Sequence, residues 1–101
     1  MMTEQEKMNY LSESYPEAII MDGYDDCIVG TVERFGIEPI VCYDKKMVLK
    51  KLIADGMSEE EASDWFYFNQ LGSYNGERTP CFLERIGLIQ LVDLNELNMN
   101  A

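Results

Sequence analysis

The side chains of this chain that could do chemistry are carboxylates, lysines and thiols, because it contains no histidine. Ser-His-Asp and Cys-His catalysis, HExxH zinc sites and histidine-based nucleases all need an imidazole and cannot be built from this chain alone. Three carboxylates crowd into one turn: Asp22, Asp25 and Asp26. Hard cations want several oxygens converging in a single loop, yet the calcium-loop pattern D-x-[DN]-x-[DN]-G fails here, and no downstream glutamate completes it. A solvated turn is the simpler reading; a metal or protein contact is the sharper one. Asp44-Lys45-Lys46 closes a strand-like run. Metal-dependent nucleases place an acid and an Asp/Glu-x-Lys on neighbouring strands, so that two carboxylates hold the metal while lysine orients water. Such a triplet is common by chance, and a helix cap followed by surface lysines explains it equally. Cys27, Cys42 and Cys81 are odd in number, far apart and set in apolar stretches with no CxxC pair. They are expected to be buried thiols of a reducing compartment rather than a three-thiolate metal site.

The most distinctive chemistry is the charge itself. The formal net charge is −11 in 101 residues, from 19 acids against 8 bases. A negative field of this density repels DNA, RNA and anionic membranes and attracts basic surfaces. It is uneven: Lys45, Lys46, Lys50 and Lys51 lie together between Asp44 and Asp55, one lysine-bearing helix on an acidic body. Ser58-Glu59-Glu60-Glu61 puts three acids in one helical first turn, where the helix dipole favours them, with Asp64 one turn on. A helix-turn-helix over 45–71 is disfavoured, because a recognition helix needs basic and amide side chains where these glutamates stand. Trp65, Phe66, Tyr67 and Phe68 make four consecutive aromatics, which span all sides of a helix. Trp65 and Phe66 fit the core face, so Tyr67 or Phe68 should look elsewhere, and an exposed aromatic ringed by acids suits a protein interface.

The elements that position these residues follow from caps and periodicity. Thr3-Glu4-Gln5-Glu6 matches a capping box, and Met8, Leu11 and Tyr15 recur at helical spacing before Pro16, so a helix is predicted over 4–14. Glu17 to Met21 reads as a strand, Asp22-Gly23 as a turn, and Cys27 to Glu33 as a second strand, together an antiparallel hairpin. After the Gly36 turn, Pro39 to Tyr43 reads as a third strand with the proline at its first position. Asp44 can cap a helix over 45–54, with Val48/Leu52 and Leu49/Ile53 as its apolar face and Gly56 just past its end. The Ser58 capping box opens a helix to Leu71, with Ala62, Trp65, Phe66 and Asn69 on one face and Gly72 as its stop. Ser73 to Thr79 is a polar loop that could line a pocket, and Pro80 to Leu83 a fourth short strand. The predicted fold is one α+β domain over 1–101: a small antiparallel sheet of three to four strands covered by helices, in the order α-β-β-β-α-α-β. An apolar C-terminal segment, 85–101, follows. Its residues 86–97 are expected to bury against the domain or against a second copy in a homodimer. The acidic N-terminus lacks an apolar signal core and no run is long enough to span a membrane, so a soluble cytoplasmic protein is expected.

The chain resembles a group of small bacteriophage and prophage proteins. The resemblance rests on Asp22-Gly23-Tyr24-Asp25-Asp26-Cys27-Ile28-Val29-Gly30, Glu33-Arg34-Phe35-Gly36, Val41-Cys42-Tyr43-Asp44, Asp55-Gly56-Met57-Ser58-Glu59-Glu60-Glu61-Ala62 and Thr79-Pro80-Cys81-Phe82-Leu83, and spans about 15–84. It carries over no functional residue. It implies a setting, that of an accessory protein acting inside a bacterial host cell. With the charge, it leads to the expectation of a non-enzymatic inhibitor that binds the basic surface of a host nucleic-acid-handling or defence protein, in the manner of a nucleic-acid mimic. The expected contact acids are Asp22, Asp25, Asp26, Glu59, Glu60 and Asp64. No catalytic residue, metal or cofactor is expected, nor direct contact with nucleic acid or membrane. The alternative is a small-ligand or metal-binding module using the Asp22–Asp26 turn and the 73–79 loop, and after it a metal-dependent nuclease using Asp44 and Lys46.

Overall fold

The computed structural model describes residues 2–86; the expected burial of 86–97 and the homodimer contact built on it lie outside the described residues but for Ile86. Helix α1 spans Glu4–Ser14, with both halves of its capping box formed: Glu6 N–H donates to the Thr3 hydroxyl and Thr3 N–H to the Glu6 carboxylate. Strand β1 (Ile28–Arg34) turns through Phe35-Gly36 into β2 (Ile37–Asp44), which runs directly into helix α2 (Lys45–Ala54). Helix α3 (Glu59–Trp65) continues as a wider π-helical stretch over Phe66–Leu71, and a short β3 (Cys81–Leu83) completes the sheet. The molecule is α+β, and none of its described helices is long and apolar enough to cross a membrane.

Of the two predicted hairpins, the first does not form and the second, across the Gly36 turn, does. Residues 17–21 form no strand, and Asp25–Cys27 make a single 3-10 turn, so β1 pairs with β2 alone and is an edge strand. The two-residue connection at Phe35-Gly36, with Gly36 at φ 87°, closes this hairpin at little loop entropy. Pro39 falls inside β2 rather than at its start. It sits at the register shift opposite Val32–Arg34, where a ladder bond is interrupted and a missing N–H costs little. The sheet is mixed: order β1-β2-β3, antiparallel between β1 and β2 as expected, but parallel between β2 and β3 (Cys42↔Cys81, Tyr43↔Phe82, Asp44↔Leu83). Parallel neighbours need a long crossover, and here α2 and α3 are that crossover.

The core lies between the sheet and the helices: Leu11, Cys27, Ile28, Val41, Tyr43, Val48, Leu52, Ala62 and Phe66. Central β2 is buried at four successive positions, Val41 to Asp44, because both of its faces are covered there. Val48 and Leu52 are the buried face of α2, at the predicted spacing. On α3 the expectation for Trp65 fails: Ala62 and Phe66 are fully buried while Trp65 is 46% exposed. A single i,i+4 row fills the space against α2 and the sheet, and Trp65 falls on its flank.

Candidate partner-binding surface

Everything on α3 is organised from its first turn. Gly56, at φ 115°, ends α2 in a conformation that side-chain-bearing residues rarely adopt. Ser58 then caps the next helix, its hydroxyl accepting from Glu61 N–H at 3.1 Å while the Glu61 carboxylate accepts from Ser58 N–H at 3.0 Å. That backbone hydrogen bond, before any other cause, holds the Glu61 carboxyl below its ordinary value. Glu59, Glu60 and Asp64 are left exposed, and among the described residues no cation lies within ion-pair distance of any of them. Beside Asp64 stand two rings with large free faces: Trp65, and Phe68 at 81% exposure. Met57, Glu61, Asp64, Trp65, Phe68 and Asn69 line a shallow groove of about 350 Å³. Glu61 and Trp65 are four residues apart, as are Asp64 and Phe68, so each acid neighbours an aromatic on the helix surface.

The other expected contact acids occupy a different element. Asp22 and Asp26 are exposed and Asp25 is half-buried in and around the 3-10 turn. Asp26 accepts a hydrogen bond from Lys51 Nζ at 2.8 Å, and this interaction depresses its carboxyl. No hydrogen bond or ion pair among the described residues joins this turn to the acids of α3. Nor does any group of three or more Asp, Glu or Cys side chains there converge so as to hold a metal.

The chain matches no family model, no curated protein and no solved structure.

Asp44 and Lys46 are not brought together for metal chemistry. Asp44 is buried, at 4% exposure, and both of its oxygens are committed: Oδ1 accepts from Met47 N–H at 3.1 Å as the cap of α2, and Oδ2 accepts from Arg85 Nε at 2.9 Å. Lys46 is exposed. The lysine that matters is Lys45, whose Nζ donates to the Tyr67 hydroxyl at 2.6 Å and to Glu84 at 3.2 Å, and lies 4.8 Å from the centre of the Tyr67 ring. Sequence reasoning missed this contact, since it joins positions 22 apart.

The polar loop 73–79 does line a cavity. Asn75, Glu77 and Arg78 face Glu17, Ile19 and Glu38 around about 390 Å³, and Arg78 pairs with Glu17 at 2.7 Å. The Thr79 hydroxyl braces the loop, accepting from Asn75 N–H at 2.7 Å and donating to the Gly76 carbonyl at 2.6 Å. The Asp22–Asp26 turn is absent from that lining.

Proposed function

We propose that this chain is a non-enzymatic binding protein that engages the basic surface of a protein partner through the acidic face of α3. The observation that carries this reading is that Glu59, Glu60 and Asp64, exposed and unpaired among the described residues, lie on the same continuous helix as the exposed rings of Trp65 and Phe68, which Asp64 joins in one groove. Unpaired charge steers association, and exposed aromatics supply contact energy once docked. The setting we propose is the cytoplasm of a bacterial host. There a phage or prophage accessory protein of net charge −11 would occupy the basic groove of a nucleic-acid-handling or defence factor, as a nucleic acid would. Capture from lysate of such a host, at low and high salt, tests it. The expected result is one stoichiometric partner released by salt, and loss of that partner for the Glu59→Lys/Glu60→Lys/Asp64→Lys variant. Reversal of Asp22, Asp25 and Asp26 should weaken capture less, because Lys51 already offsets one of these charges. Unchanged capture and unchanged salt dependence for both variants would defeat the reading.

The cavity beside the 73–79 loop favours a second reading, a module for a small polar ligand. A ligand that binds only the folded state must raise its melting temperature, so a thermal-shift screen against nucleotides and divalent cations tests it. Glu77→Ala/Arg78→Ala should abolish any shift found.

A further inference from the structure

The protein already sets cations close to its aromatic rings, Lys45 at the hydroxyl edge of Tyr67. Lys45 Nζ lies 4.8 Å from the Tyr67 ring centre and 5.7 Å from that of Phe66, and Lys51 Nζ lies 5.7 Å from that of Tyr24. Two rings of the same aromatic block, Trp65 and Phe68, carry no such cation among the described residues and are the two that border the groove on α3. Their neighbours there are the carboxylates of Glu61 and Asp64. An apolar occupant would strip water from these acids and give nothing in return, which is costly. A cation instead meets both the negative faces of the rings and the carboxylates. Glu61 uses Oε1 in its capping box and keeps Oε2 for a further donor.

We propose that the groove formed by Trp65, Phe68, Glu61 and Asp64 is the seat for an arginine side chain presented by the partner; this rests on the reading that α3 binds a basic protein. Arginine fits better than lysine because its planar guanidinium stacks on a ring while its N–H fork reaches carboxylate oxygens, whereas an ammonium is a single strongly hydrated point. Nucleic acid and anionic lipid are repelled by the same acids.

Trp65 is the chain's one tryptophan, so its emission reports on this groove alone. The 101-residue chain is titrated with a short peptide of alternating arginine and glycine, and with its lysine, citrulline and leucine counterparts. Binding is followed by Trp65 emission and, in parallel, by calorimetry. The arginine peptide should change Trp65 emission saturably, with the lysine peptide weaker and the citrulline and leucine peptides inert. Phe68→Ala should weaken the arginine peptide about threefold, the size of a cation–π contact at an exposed site, and Asp64→Asn should weaken it as well. Both side chains are exposed, so both variants should fold, as circular dichroism will check. Calorimetric binding that leaves Trp65 emission unmoved and is indifferent to both variants would overturn the groove while leaving the acidic-surface reading intact. Equal response to the lysine or leucine peptide, or no binding of the arginine peptide, would also overturn it. So would emission that changes with protein concentration alone and no longer does so in Phe68→Ala, since the occupant would then be a second copy. The lysate capture of the charge-reversed variant decides the broader reading separately.

Discussion

Tyr43 has no exposed surface, yet its hydroxyl serves the main chain of a segment without regular structure: Met21 N–H donates to it at 2.6 Å. Burial pushes its phenol up to about 12, so it remains protonated throughout the neutral range. Removing the oxygen leaves the Met21 amide without its partner, and Tyr43→Phe should lose about 1–2 kcal/mol in urea unfolding. Were stability unchanged, the 17–24 segment would not be tied to the sheet in this way. The thiols behave as buried groups too. Burial pushes Cys27 up to about 11, and burial followed by the neighbouring Cys81 pushes Cys42 to about 11. At pH 8 only about one in a thousand of either would be thiolate. Native protein should therefore react with a thiol reagent far more slowly at Cys27 and Cys42 than denaturant-unfolded protein does. Labelling of both at the unfolded rate would contradict their burial. The burial of Cys27 and Cys42 was legible beforehand, though Cys81 is only half-buried; the Tyr43 contact was not, since a tyrosine in an apolar run shows that it is inside and nothing within the run shows what its hydroxyl meets.

Among the elements, α3 and its continuation show where local rules end. The Ser58 capping box and the three acids behind it depend on four adjacent residues, and they form as the spacing predicts. The stop at Gly72 also occurs where expected, but for a different physical reason. Gly72 has φ −74°, an ordinary value; what excludes a side chain is the Tyr67 carbonyl oxygen, which a Cβ would meet at 2.8 Å. The wider π-helical turn before it brings that oxygen close, as Gly72 N–H donates to it at 3.1 Å. Gly72→Ala should then cost about 1–3 kcal/mol through crowding. Gly30→Ala, where a Cβ meets nothing within 4 Å, should cost far less. Equal effects of the two substitutions would show that backbone entropy, and not the close approach, sets the cost at Gly72. The same wider turn follows directly on Trp65, which helical spacing had placed on the core face with Ala62 and Phe66.

For the whole molecule the governing quantity is net charge. At −11 the acids repel one another at neutral pH, and this opposes compactness. Adding salt at pH 7 should raise the melting temperature by a few degrees as the repulsion is screened. On acidification two effects oppose each other. Protonation toward the pI near 4.2 relieves repulsion. Against it, the Glu6 and Glu61 carboxyls are depressed below 4.5 by backbone hydrogen bonds from Thr3 and Ser58, and Asp26 below 3.8 by Lys51. A carboxyl depressed in the folded state stabilises above its unfolded value and loses that stabilisation as pH falls through its folded one. Stability at low salt should thus hold or rise from neutral pH to about 5 and decline below about 4. A melting temperature that kept rising through that lower window would mean that these capping and ion-pair contacts contribute nothing.

From the residues alone came whatever is settled within a few positions of the chain. Helix α1 and helix α2 have the expected ends because Thr3 and Asp44 cap them and Met8/Leu11 and Val48/Leu52 recur at helical spacing. The acids at the start of α3, their sign and their density were equally plain. The tertiary structure alone decided that 17–21 stays out of the sheet, that β3 joins in parallel, that Trp65 faces outward, and that Asp26 and Asp44 are held by Lys51 and Arg85. Caps and periodicity depend on contacts that form at little entropic cost. Strand partners, and the side of a helix that is covered, depend on which distant segments together bury the most apolar surface with their polar groups satisfied, a competition over the whole chain that no single stretch records.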